Sequence, residues 1–338
     1  MVFKSKSVFL AFVVLIGLGL ATFFLRPAAD RGRAATGRVP LVMTLSFVPD
    51  DPTEYYNAHL GEWLATHGLK EGRDYRLKSL SAQGDLGTLS LLMDAARQEQ
   101  VDILITFQPQ TLYNAIHRVP EITKVFSILT SPGSLGAGAS DTQHLANVTG
   151  FYYWPDYEKL LDLLRECKPA TRTVGTLYYV GDDEPKQQLE RAKQAARDRG
   201  LEVLSQPYSS QSEIPDAILA LAGQKPDAIL LGPCPHQSIV APGLIKAANA
   251  LKIPLATMLL DKVRNGTATL AYGVNQEAAA KKFTEILAQV IRGANPRDIP
   301  FFNGRNLRYE TLVNARQAQA IGLSIPEVVR KRADRIYE

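Results

Sequence analysis

Short apolar β-forming runs alternate with helical stretches along most of this chain, and the alternation runs through twice. A run at 40–47 is followed by helical periodicity over 53–67 that stops at Gly68. A strand at 75–80, a helix at 86–98, the buried run VDILITF at 101–107, a short helix at 111–117 and a strand at 124–129 complete a first unit. The pattern restarts with TVGTLYYV at 173–180 and a helix that begins at Pro185 and ends at Gly200. Strands at 201–204, 227–231 and 253–258 then alternate with helices at 214–221 and 244–251. β-α-β order of this kind demands parallel sheets with helices on both faces. The spacing therefore predicts an α/β protein of two lobes.

The segment 147–154 has no Gly/Ser-rich linker and reads as a strand passing directly from one unit to the other. After the Asn265-Gly266 turn come a strand at 267–274, a helix at 277–292 and a late strand at 305–313. These trailing elements imply that the chain returns between lobes, near 147–150, near 274–275 and near Pro300. The expected division is 39–147 plus 275–300 for the first lobe and 148–274 plus 301–338 for the second. Several crossings at one place make a hinge.

With 338 residues, 46% of them hydrophobic, the chain can bury a core in each lobe. The net charge of +4 is spread along the sequence. The densest basic cluster, Arg330, Lys331, Arg332 and Arg335, alternates with Glu327, Asp334 and Glu338 and reads as a solvated helix face. Nothing marks a nucleic-acid surface. The N-terminus is different: Lys4 and Lys6 precede an unbroken apolar run from 8 to 25, stopped by Arg26-Pro27. As a helix it would span about 27 Å, close to the bilayer core. Gly19-Leu20-Ala21 could be a cleavage site, but apolar residues continue past it. Residues 1–38 are thus expected to be a signal-anchor or signal peptide with a tether, placing the remainder on the periplasmic or extracytoplasmic face of a membrane.

No catalytic motif is present: no G-x-S-x-G, P-loop, H-E-x-x-H or G-x-G-x-x-G occurs. Cys167 and Cys234 belong to no metal-ligating cluster, and they fall at opposite ends of their expected sheet, too far apart to bridge. Neither an enzyme nor a cofactor or metal protein is expected. In parallel sheets the ligand sits beyond the carboxyl ends of the strands. That rule nominates Phe47, Gln83, Asp85, Thr106, Gln108, Thr130 and Ser131 on the first lobe, with Asp182, Cys234, His236 and Asp261 on the second.

Ser81-Ala82-Gln83-Gly84-Asp85, the VDILIT strand, Asn147-Val148-Thr149-Gly150, TVGTLYY, Ser212-Glu213-Ile214-Pro215, Asn265-Gly266, Ala320-Ile321-Gly322-Leu323-Ser324-Ile325-Pro326 and Arg332-Ala333-Asp334 occur in order. Together, over roughly 40–338, they resemble the ABC-transporter substrate-binding family, in the branch that includes aromatic-amino-acid binders. The resemblance implies a type I periplasmic binding fold, two Rossmann-like lobes that close on a small-molecule ligand. It also implies an ABC permease and an ATPase as partners, with the inner membrane reached through the N-terminal segment. A membrane-anchored sensor or interaction module on the same fold, without transport, is the alternative. The chain departs from the family pattern in having Pro233-Cys234-Pro235 in place of a Thr-Asp-Asn-like segment, Met258-Leu259 in place of Ser-Asp, and Ser131-Pro132 in place of Asp-Pro. No lipoprotein cysteine follows the apolar run. With Asp182 and Asp261 as the remaining acidic candidates, the departures imply a solute without an obligatory ammonium group.

Overall fold

A computed structural model of the chain describes residues 38–338, apart from 49, 50, 129, 182, 233 and 235. The apolar run at 8–25 lies outside the described residues. Among the described residues no helix is long and apolar enough to cross a membrane.

The first unit runs β1 (Leu41–Ser46), α1 (Asp51–Thr66), β2 (Arg76–Ser81), α2 (Leu86–Gln98), β3 (Ile103–Thr106), α3 (Pro109–Arg118), β4 (Thr123–Ile128) and β5 (Val148–Tyr152). The second runs α4 (Tyr157–Cys167), β6 (Thr173–Tyr179), α5 (Asp183–Arg197), β7 (Glu202–Tyr208), α6 (Ile214–Gly223), β8 (Ala228–Leu231), α7 (Gln237–Leu251), β9 (Leu255–Thr257), α8 (Leu260–Arg264) and β10 (Leu270–Val274). The chain then forms α9 (Gln276–Ile291), β11 (Phe302–Asn303), β12 (Tyr309–Asn314), α10 (Ala315–Ala320), α11 (Glu327–Arg332) and β13 (Arg335–Tyr337).

The strands form two sheets, in the orders β11-β5-β4-β3-β1-β2 and β13-β12-β10-β9-β8-β6-β7. The first is parallel throughout; in the second, β12 turns antiparallel to β10 and β13 follows β12 in parallel. Both sheets are covered on both faces, which is why their strands read as continuous apolar runs. In β1, Val42 joins Leu60, Leu64, Phe283 and Leu287 beneath α1 and α9, while Met43 and Leu45 join Leu89 and Met93 beneath α2. In β8, Leu230 packs with Leu160 and Leu164 of α4, and Ile229 and Leu231 with Ile214 and Leu244 on the opposite face.

β5 and β11 pair into the first sheet. The sequence division put 148–152 and 301–303 with the second lobe, so that division cut one strand too early at both places. The reason is that β5 completes the first sheet before the chain crosses. The crossings lie at 153–156, at Asn275 and at 304–308. Helix α4 was not anticipated from the sequence, although Leu160, Leu161 and Leu164 bury one face and Asp156 caps its start by accepting from the Lys159 N–H at 2.9 Å. Helix α7 begins seven residues before its expected start, because Pro242 sits inside it. The basic cluster at the C-terminus is dispersed in ion pairs: Lys331 with Glu327, Arg332 with Glu166, and Arg330 with Glu338.

Candidate functional site

The parallel strands of each sheet carry their carboxyl ends to one edge, and the expected site residues fall at those edges. On the first lobe Gln108 is the organising residue. It is buried at the start of α3, where its Oε1 accepts from the N–H groups of Phe47 and Val48 and its Nε2 donates to the Val48 carbonyl at 2.8 Å. It therefore ties the segment after β1 to the end of β3, and its amide is spent inside the lobe, on this backbone and on Thr53 Oγ1 at 3.4 Å. Asp85 is likewise engaged: it caps α2 by accepting from the Thr88 N–H at 2.6 Å, which holds its carboxyl below the usual range. Thr106 and Thr130 are wholly buried at the ends of β3 and β4. Ser131 opens a single 3-10 turn over Pro132–Leu135. Gln83 is exposed in the left-handed region at φ 53°, followed by Gly84 at φ 81°. A glutamine held there is backbone strain of about 1 kcal/mol kept at an edge where a ligand would sit.

On the second lobe the structure assembles a cluster that the sequence reading only half anticipated. Tyr179 and Tyr208 are register partners at the ends of β6 and β7, with ring centroids 5.5 Å apart. The His236 ring meets them edge-on, 5.3 Å from Tyr179 and 5.6 Å from Tyr208. Cys234 lies against Tyr208, and burial pushes its thiol up to about 12. Gly181 is what lets the Tyr179 ring fold back over the chain, since a Cβ there would fall 2.3 Å from Tyr179 Oη. Tyr179 fell within the expected run at 173–180, whereas Tyr208 lies beyond the expected strand at 201–204 and is reached only because β7 continues to it. Asp261, in the first turn of α8, pairs with Lys262 at 2.8 Å. Asp182 lies outside the described residues.

Glu184 was overlooked. It lies in the first turn of α5; burial is what chiefly raises Tyr157 and Cys234, and the Glu184 charge adds to burial at Tyr157 and is the smallest contribution at Cys234. Glu184 is a further acidic residue of this lobe, beside the Asp182 and Asp261 that the expectation of a solute without an obligatory ammonium group took into account. Among the described residues no group of three or more His, Cys, Asp or Glu side chains is placed to hold a metal ion.

Residues 42–337 match the family model described as ABC transporter substrate binding protein. The chain belongs to this family. It is a solute-binding component of an ABC transporter, a class of binding proteins that works outside the cytoplasm. It is similar to a curated tyrosine-binding protein of Clostridioides difficile, with 24% identity over 240 residues, 70% of this chain and 68% of that protein. Among solved structures, an ABC domain from Streptococcus pneumonia in complex with L-Trp superposes with a TM-score of 0.81 at 20% identity, covering 88% of this chain and 100% of that one. A conserved domain protein from Vibrio cholerae gives 0.81 at 21% identity with the same coverage. These likenesses show the type I periplasmic binding fold.

Proposed function

We propose that the chain captures one small organic solute between its lobes and delivers it to an ABC permease and its ATPase, while residues 8–25 hold it at the membrane. The observation that supports this reading most is the placement of the strand ends. Two largely parallel sheets, joined by three crossings, carry polar and aromatic residues at their strand ends: Gln83, Gln108 and Ser131 on one, Tyr179, Glu184, Cys234 and His236 on the other. Crossings at so few residues allow closure through small backbone changes. Closure follows ligand only if the closed form gains contacts that the open form lacks.

The relatives bind tyrosine and L-Trp, and the second-lobe cluster suits such a solute: tyrosine and imidazole rings offer edge and face contacts to a planar group, and Glu184 is suited to an amine. The test uses residues 39–338, purified without denaturation. Native mass spectrometry is expected to show one small molecule per chain, and restoring it after removal is expected to lower the radius of gyration in small-angle scattering. A chain that carries nothing, and whose scattering is unchanged by tyrosine, tryptophan or a metabolite extract, would refute the reading.

A further inference from the structure

The glycine at 181 is required by a neighbouring side chain and not by its own backbone. It follows β6, and its φ lies outside the left-handed region, so the chain conformation there does not demand a glycine. A Cβ at 181 would nonetheless fall 2.3 Å from Cζ and from Oη of Tyr179, and 2.5 Å from its Cε1. The backbone is poorly placed to give way. The Val180 N–H donates to the Tyr208 carbonyl at 3.0 Å, which carries the pairing of β6 with β7 up to the residue before the glycine. What yields to a methyl group is the far end of the Tyr179 side chain, which turns to another staggered arrangement.

That side chain is one wall of the second-lobe cluster. The Tyr179 ring meets His236 at 82°, with centroids 5.3 Å apart, and both residues are half-buried. Tyr208 is buried behind them. Two rings near a right angle make a corner in which a third flat group meets a face of one and an edge of the other. We propose that Gly181 is a positioning residue for solute recognition: the absence of a side chain there sets Tyr179 against His236, and the corner so formed decides which ring the second lobe accepts. The proposal rests on the cleft reading. It adds that discrimination between flat solutes is set at a residue that acts only through Tyr179.

The test is a double-mutant cycle on the full chain, with two readouts. Calorimetry follows the binding of L-tyrosine and of L-tryptophan. NMR of the chain with isotope-labelled histidine follows the His236 ring resonance, identified by its loss in His236→Gln. Gly181→Ala is expected to move that resonance toward its position in Tyr179→Ala, and to change the ratio of the two affinities by roughly tenfold or more. A general loss of stability would weaken both amino acids alike and leave the ratio unchanged. In the Tyr179→Ala background, Gly181→Ala is expected to do neither, because no ring is left to displace. Gly181→Ser stands in should Gly181→Ala fail to fold. A resonance and a ratio unchanged by Gly181→Ala overturn the proposal, as does an effect that persists without Tyr179. A parent chain that binds neither amino acid overturns the recognition half and removes the aromatic solute from the cleft reading, while the resonance still decides the positioning. A parent that binds, with the resonance unmoved in Gly181→Ala, removes the positioning and keeps the cleft reading.

Discussion

Asn275 Nδ2 donates to Glu310 Oε1 at 2.7 Å, so the residue at which the chain leaves the second sheet is held by the strand on which it later returns. The same asparagine caps α9, its Oδ1 accepting from the Ala278 N–H at 2.8 Å. Arg264 closes the arrangement, donating to Gln276 Oε1 at 2.9 Å and to Glu310 Oε2 at 3.2 Å. Arg264 and Glu310 belong to the second lobe, whereas α9 packs its Phe283 and Leu287 into the first. The clamp therefore sets how tightly one lobe grips the first turn of the other lobe's helix. Glu310→Ala is expected to lower stability by about 1–2 kcal/mol. It is also expected to speed hydrogen exchange in the first turn of α9 and to broaden the distribution of lobe separations in solution scattering. Unchanged exchange at 276–279 would show that the clamp does not restrain the hinge.

Gln108 makes a different kind of prediction, because its amide is consumed within the first lobe. Replacing it by Ala leaves the N–H groups of Phe47 and Val48 without that acceptor in a half-buried setting. The expected cost is about 1–3 kcal/mol, read as a lower urea midpoint at unchanged slope. Solute affinity falls with it, since the segment after β1 loses its tie to β3. A variant as stable as the parent that nonetheless loses its solute would make Gln108 a direct contact instead.

How far the sequence carried depended on the kind of signal. β3 and β8 were legible as unbroken apolar runs because sheets covered on both faces have no polar alternation to hide them. The start of α2 was legible at Leu86, where Asp85 provides a cap and Gln98 ends the periodicity. Pro242 hid the first half of α7, since a proline in mid-pattern normally ends a helix, whereas here the helix continues through it. The role of β5 was not legible, because sheet membership is decided by pairing with β4 and not by anything local. For the site, position was readable and chemistry was not. Gln108 and Asp85 fall at strand ends as expected, yet their polar atoms serve the backbone. Tyr208 and Glu184 come to the second-lobe cluster only through tertiary packing.

Cys167 and Cys234 form no disulfide bond. Cys167 closes α4 and is buried beneath the second sheet, and burial pushes its thiol up to about 12, as it does that of Cys234. At pH 8 the thiolate fraction of each is then on the order of a thousandfold below that of an ordinary cysteine. The folded protein is expected to react slowly with a disulfide reagent, half-buried Cys234 through its low thiolate fraction and buried Cys167 only as fast as the fold opens, and to show two thiols at once when denatured without reductant. Fewer than two would mean a bond that this fold does not accommodate. A thiol that reacts immediately in the folded state would mean that its surroundings are wetter than the packing implies.

Lys124 gives the sharpest test of the first lobe's electrostatics. It lies on β4, wholly buried, with its Nζ donating to the Val119 carbonyl at 2.7 Å. Burial lowers its ammonium to about 8, and the charge of Glu121 only partly opposes this. The folded state therefore releases this proton more readily than the unfolded chain, whose lysines titrate near their ordinary value. Between about pH 8 and 10.5 the unfolded state binds more protons, so this group makes stability rise with pH across that window. Its favourable contribution is complete above the window and lost below it. At pH 7 the buried ammonium is a cost on the order of 1–3 kcal/mol, offset in part by its one hydrogen bond. Lys124→Met keeps the volume and removes the charge. It is expected to be as stable as the parent or more stable at pH 7, and to lose the rise between pH 8 and 10.5 in urea denaturation. A variant less stable by more than about 2 kcal/mol at pH 7, with the rise intact, would show that the ammonium is held by more than the Val119 carbonyl and that its burial is not the dominant effect.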